Sequence, residues 1–163
     1  MNSKIKRIID FSTAFGPSGM EDEVSSLAME DVKDICEVHD DTMRNTYMHF
    51  KQDKEHETTI LLGAHADEVG FIVQAIKPNG TIRFLPLGGW DPKNIVSGEV
   101  WILNDKGEKI SGIVASQPVH FLSEEKRNGK VDFDDLVIDV GATSVQEVKE
   151  EFHISVGNFM CPA

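Results

Sequence analysis

The periodicity of this chain changes once, close to residue 68, and that change limits its possible folds more than any other feature. Before it, Ile5, Ile8, Ile9, Ser12 and Phe15 recur at intervals of three and four, the spacing of one helix face about four turns long. Gly16-Pro17-Ser18-Gly19 breaks that helix. Ser18 and Glu21 then stand at capping-box spacing, ahead of a second amphipathic run through Val24, Leu27, Ala28, Val32 and Ile35. From Phe71 onward the text is that of short strands. Phe71-Ile72-Val73 and Ile82 to Leu85 flank the hairpin signal Pro78-Asn79-Gly80, and Glu99 to Leu103 and Ile110 to Ala115 flank Asn104-Asp105-Lys106-Gly107. Strands and turns at this density predict a small barrel or sandwich.

Between the two regimes lies Thr58 to Gly63, apolar at successive positions, which predicts a strand buried on both faces at the centre of an α/β sheet. Residues 116 to 134 are polar and aperiodic and predict a long loop. Leu136 to Val140 predicts one more strand. Ser144 and Glu147 repeat the capping-box spacing and predict a short helix to about Phe152, followed by a last extended segment.

Composition narrows the function classes. The 163 residues suit one compact domain, or one domain with a smaller insert. The net charge of −12 argues against nucleic acid, whose phosphates need a basic footprint. No apolar run nears the ~20 residues that cross a bilayer, which argues against a membrane partner, and the N-terminus carries no signal-peptide core. Two cysteines, Cys36 and Cys161, make no disulfide framework; both are read as reduced, in a cytoplasmic protein.

The residues best placed for chemistry are His65 and Asp67, directly after the predicted buried strand. On a strand, side chains two apart face the same side, and α/β sheets carry their sites at the carboxyl ends of strands. A histidine there can ligate a divalent metal while the carboxylate orients its ring. Taken alone, the pattern more often describes a histidine that merely hydrogen-bonds near a strand end, and its force comes from its position and surroundings. Among the other histidines, His39, His49, His56 and His153 have no ligand-type neighbours at useful spacing, and His120 after Pro118 suits a turn or interface. Asp132, Asp134 and Asp135 lack the glycine and terminal glutamate of a calcium loop. Gly88-Gly89 precedes no helix that could present amides to a phosphate. A serine nucleophile at Ser12 or Ser18 lacks the strand-turn-helix elbow.

Five blocks, taken together, resemble the M42 family of metallo-aminopeptidases, the group of glutamyl aminopeptidases and TET peptidases. They are Gly16-Pro17-Ser18-Gly19 with Glu21, Ala64-His65-Ala66-Asp67-Glu68-Val69-Gly70-Phe71, Leu87-Gly88-Gly89-Trp90-Asp91-Pro92, Pro118 with His120, and Ile138-Asp139-Val140-Gly141-Ala142-Thr143-Ser144. The resemblance implies an α/β fold: a partial zinc-peptidase-like catalytic domain over residues 1–67, an inserted all-β barrel of PA-like, dimerising type over 68–159, and a return into the catalytic domain at 160–163. It implies two divalent metals per active site, zinc or cobalt, a water activated between them, peptide substrates, and homo-oligomers built through the barrel. It makes His65 a metal ligand and gives Asp67 the catalytic task of holding that histidine in its ligating tautomer. The family's bridging aspartate, its glutamate pair and its last aspartate and histidine ligands have no counterpart among these 163 residues. One histidine falls short of the three protein ligands of a catalytic zinc, so no activity is expected from this polypeptide alone. The resemblance leaves a second reading, a non-catalytic truncated homologue acting as a dimerisation or assembly module. Arg44 stands where the family usually has glycine.

Overall fold

A computed structural model describes residues 3–51, 60–124 and 129–163 of the chain, and the side chains of all of these but Val119. The chain divides into two compact units, Met1–Asp67 and Glu68–Ala163.

In the first unit the two predicted helices are present as α1 (Ser3–Thr13) and α2 (Asp22–Val32). An antiparallel hairpin follows, β1 (Cys36–Asp40) on β2 (Thr46–Phe50), with Val38 opposite Met48. Its turn is organised by Asp41, whose Oδ1 accepts from the backbone N–H groups of Met43 (2.8 Å) and Asn45 (3.0 Å). Arg44 sits in that turn at φ +64°, the left-handed region that glycine adopts freely. Its guanidinium pairs with Asp22 at the start of α2.

Two expectations for this unit are corrected. The first capping box does not form: Glu21, not Ser18, stands at the N-cap of α2, without a side-chain cap. Its Oε1 instead accepts the N–H of Gly19 at 2.6 Å. The predicted buried strand Thr58 to Gly63 also fails where it can be followed. Residues 58 and 59 lie outside the described residues, and Ile60, Leu61 and Leu62 are 81%, 90% and 90% exposed, with no strand assignment. A strand exists only with a neighbour to share its ladder, and no described strand pairs with this run. Neither helix buries a residue of its own, although Ala14, Phe15 and Pro17 in the connection between them are buried.

The second unit carries the core. Six antiparallel strands close into a barrel in the order β3-β4-β7-β6-β5-β8. They are β3 (Gly70–Ile76), β4 (Ile82–Leu87), β5 (Glu99–Leu103), β6 (Lys109–Ser116), β7 (Leu136–Asp139) and β8 (Phe159–Pro162). Alternate side chains point inward: Phe71 and Val73, Ile82 and Phe84, Val100 and Ile102, Leu136 and Ile138 are all buried, with Val114 and Met160. At about 1.5–3 kcal/mol for each fully buried side chain of this size, this interior is the chief stabilising element of the molecule. Phe71 anchors it, edge-on to Phe84 (5.0 Å) and stacked on Trp90 (4.7 Å), whose indole N–H donates to the Gly70 carbonyl at 3.0 Å.

The predicted hairpins are β3-β4 and β5-β6. Gly80 in the first has φ +83°, and a Cβ there would lie 2.4 Å from the Ala142 carbonyl oxygen. The Ser144 half of the second capping box forms: Ser144 Oγ accepts the Glu147 N–H at the start of α3 (Val145–Glu150), while Glu147 Oε2 reaches one residue past the cap and accepts the N–H and hydroxyl of Thr143. The described part of the long loop holds two short 3-10 turns, Val119–Phe121 and Phe133–Asp135. The end of the chain differs from expectation. Residues 159–162 form a barrel strand between β3 and β5, so Met160 and Cys161 pair within the barrel where the reading of the sequence ended the insert at 159. Among the described residues no helix is long and apolar enough to cross a membrane.

Candidate functional site

His65 and Asp67 lie close together, but on irregular backbone instead of the strand that the H-x-D spacing suggested. The imidazole Nδ1 is 2.9 Å from the Asp67 carbonyl oxygen and 3.1 Å from its carboxylate Oδ1. Both partners are acceptors, so Nδ1 carries the hydrogen and donates. Nε2 is then the ring's free lone pair, on a side chain that is 85% exposed. This is the tautomer in which a histidine ligates metal through Nε2 while a carboxylate steadies the other nitrogen.

A third residue, which the reading of the sequence assigned to a helix cap, completes the group. The Ser18 hydroxyl donates to Asp67 Oδ2, across 49 positions of sequence. The Ser18 hydroxyl, and after it the His65 ring, hold the Asp67 carboxyl below the usual carboxylate range. The loop that carries Ser18 is tightly built. Met20 N–H donates to the Pro17 carbonyl at 2.8 Å, and the Val24 methyl occupies the space a Cβ would need at Gly16. The motif Gly-Pro-Ser-Gly ahead of His-Ala-Asp was the available signal for Ser18; its S-x-x-E spacing pointed to the helix instead.

The other candidates go elsewhere. His39 stacks on Tyr47 and His49 along the β1-β2 hairpin, and His56 lies outside the described residues. Asp132 Oδ1 accepts from the Asp134 N–H at the 3-10 turn, and Asp134 pairs with Arg83. His120 lies within the other 3-10 turn. Neither Cys36 nor Cys161 is in a disulfide. A divalent metal fits Nε2 of His65 by donor chemistry and exposure. Among the described residues, no three His, Cys, Asp or Glu side chains converge on one point.

The family profile of M42 glutamyl aminopeptidases matches residues 45–163. The chain belongs to that family. This M42 chain is 33% identical over 149 residues to the lysyl aminopeptidase of Pyrococcus furiosus, a match that covers 90% of the chain and 41% of the relative. Among solved structures it resembles a TET aminopeptidase from a marine-sediment Thaumarchaeota archaeon, with a TM-score of 0.88 and 35% identity over 97% of the chain and 44% of the other. It also resembles the TET1 peptidase of Pyrococcus horikoshii, described as assembling into a tetrahedron or a large octahedral shell. That TM-score is 0.83, with 29% identity over 98% of the chain and 46% of the other. This M42 chain thus spans less than half the length of each of these three proteins.

Proposed function

We propose that this chain supplies one ligand, and the group that orients it, to the two-metal centre of an aminopeptidase that removes residues from the N-termini of peptides. The observation that carries this is the His65 imidazole, held through Nδ1 by Asp67 with Nε2 exposed, inside a segment that the family profile matches. Zinc or cobalt suits an imidazole and carboxylate donor set. When bound, such metals polarise the scissile carbonyl and lower the pKa of a water. The chain's own residues act before that chemistry: Asp67 fixes the tautomer and direction of His65, and His65 offers Nε2. The 163 residues by themselves should be inactive, because one ligand does not hold a catalytic zinc. A cytoplasmic setting belongs to the same reading and agrees with the lack of a disulfide.

The test is metal content and hydrolysis of aminoacyl-p-nitroanilides, measured on the natively purified polypeptide after its intact mass is known. In a polypeptide of the relatives' length, close to two metals per chain, with loss of metal and hydrolysis in His65→Ala, would support the proposal. Full hydrolysis in His65→Ala would sink it.

A second reading concerns assembly. The closed barrel holds the chain's main hydrophobic core while leaving Leu85, Ile113, Phe121 and Val156 exposed, and similar solved structures are described as large assemblies. This favours a homo-oligomer built through the barrel, with or without catalysis. Light scattering of the purified protein decides it; a monomer at all concentrations would dismiss the reading.

A further inference from the structure

We propose that Ser18 is a positioning residue for His65: its hydroxyl fixes the Asp67 carboxylate so that the imidazole is held as the Nδ1–H tautomer with Nε2 open. The role of Nε2 as a metal ligand rests on the function proposed above, whereas the control of the tautomer does not need a metal.

The argument starts from how the two oxygens of Asp67 are divided. Oδ2 accepts from Ser18, and Oδ1 accepts at 3.1 Å from a His65 Nδ1–H that is shared with the Asp67 backbone carbonyl at 2.9 Å, so the carboxylate is held between two donors. An ionised carboxylate only accepts, so both neighbours must present hydrogens. Asp67 is itself 39% exposed, and a carboxylate reached by water has little reason to keep one rotamer on account of a single imidazole at 3.1 Å. The second donor supplies that reason, provided its own position is set independently. It is. Ser18 follows fully buried Pro17, in a turn closed by the Met20 N–H on the Pro17 carbonyl. The next residue, Gly19, has φ +92° and donates its N–H to Glu21 Oε1. The approach to the turn is held as well, since the Phe15 N–H donates to Glu23 Oε2 at 3.0 Å.

The order of the three groups excludes a nucleophilic serine. In a hydrolytic triad the histidine touches the serine and the carboxylate lies behind it. Here the carboxylate lies between them, so the Ser18 hydroxyl meets no imidazole that could take its proton and return it to a leaving group. The hydroxyl acts as a donor that orients.

The experiment uses the chain labelled with 15N-histidine, studied at a pH about two units above the ordinary histidine value so that the rings are neutral. Two-bond proton–nitrogen spectra then give the tautomer of His65 directly. Wild type should show predominantly Nδ1–H. Ser18→Ala and Ser18→Cys should lower the ratio of Nδ1–H to Nε2–H by roughly fivefold, the weight of one ordinary hydrogen bond, and Ser18→Thr should restore it. The cysteine variant keeps the volume and loses the strong donor, so a packing role would leave its spectrum like wild type. A predominantly Nε2–H wild type, or a ratio unchanged in both Ala and Cys variants, would overturn the role of Ser18. Metal content, measured separately on a polypeptide of the relatives' length, tests the other reading. Two bound metals with a Ser18-insensitive tautomer overturn the positioning role alone. A Ser18-sensitive tautomer without metal overturns the metal-centre reading alone.

Discussion

The side-chain amide of Asn104 reaches the carbonyl oxygen of Phe152, 48 residues away, at 2.9 Å. Asn104 is almost fully buried, and every hydrogen-bonding position of its amide is used. Nδ2 also donates to Glu108 Oε2, and Oδ1 accepts the N–H groups of Lys106 and Glu108. One side chain thus builds the β5-β6 turn and fastens the segment after α3 to it. Asn104→Ala leaves a part-buried carbonyl and two amides without their partner, which costs about 2 kcal/mol. In thermal melts the barrel midpoint should fall by several degrees, and an unchanged midpoint would show that water replaces the amide without loss.

Arg44 offers the opposite case. It occupies a left-handed backbone position, and its pairing with Asp22 is a surface contact worth little in water. Arg44→Gly should leave hydrogen exchange of the Arg44 and Asn45 amides in the β1-β2 turn unchanged or slow it slightly, because relief of the backbone offsets the lost pair. Arg44→Val should speed that exchange by roughly fivefold or more, since a β-branched residue resists positive φ. Equal exchange in the two variants would refute the backbone argument.

Asp105 should make stability depend on acid. Ser155 Oγ and Asn158 Nδ2 donate to its carboxylate at 2.5 and 2.9 Å, and they hold its carboxyl below the ordinary value, the serine contributing most. A carboxyl depressed in the folded state stabilises fully above the unfolded value of about 3.9 and loses that contribution as pH falls through the lower folded value. The gap in melting midpoint between wild type and Asp105→Asn should therefore be widest near neutrality and should close below about pH 4. A gap that stays constant down to about pH 2 would mean that the carboxylate's charge is irrelevant there.

The barrel unit should fold without the rest of the chain. Every member of the buried core cluster lies between Phe71 and Met160, whereas α1 and α2 bury nothing of their own. A polypeptide of residues 68–163 should melt cooperatively, and one of residues 1–67 should be digested rapidly by protease. A non-cooperative melt of the barrel polypeptide would show that its interior depends on the preceding residues.

The contrast between the units also explains what could be read from the sequence. The hairpins at Pro78-Asn79-Gly80 and Asn104 to Gly107 were legible because a turn signal and the flanking alternation encode the same register. The Ser144 cap was legible for a similar reason, since its bond to the Glu147 N–H is made within four residues. Over residues 60–63 the apolar run that predicts a strand is irregular and exposed, because such a run records what a segment could bury, not whether a partner strand lies among the described residues. Ser18 was misread because its serine-to-glutamate spacing serves a helix cap as well as a loop, and the competing acceptor lay 49 residues away. His65 and Asp67 were found together by spacing, but the strand invoked to align them is irregular backbone. The pairing arises from the histidine reaching around to the backbone carbonyl and one carboxylate oxygen of a residue two positions on.

Phe71 lies opposite Met160, and Ile72 opposite Phe159, in the antiparallel pairing of the first barrel strand with the last. The polypeptide therefore leaves the barrel about one strand spacing, roughly 4.8 Å, from where it enters. Excising everything between and joining the two ends would need only a short bridge. Conversely, a loop of almost any host protein could be opened to accept the whole module without its flanks being pulled apart. The barrel has the geometry of a detachable cassette, whose own melt and surface could be altered while the host backbone keeps its course.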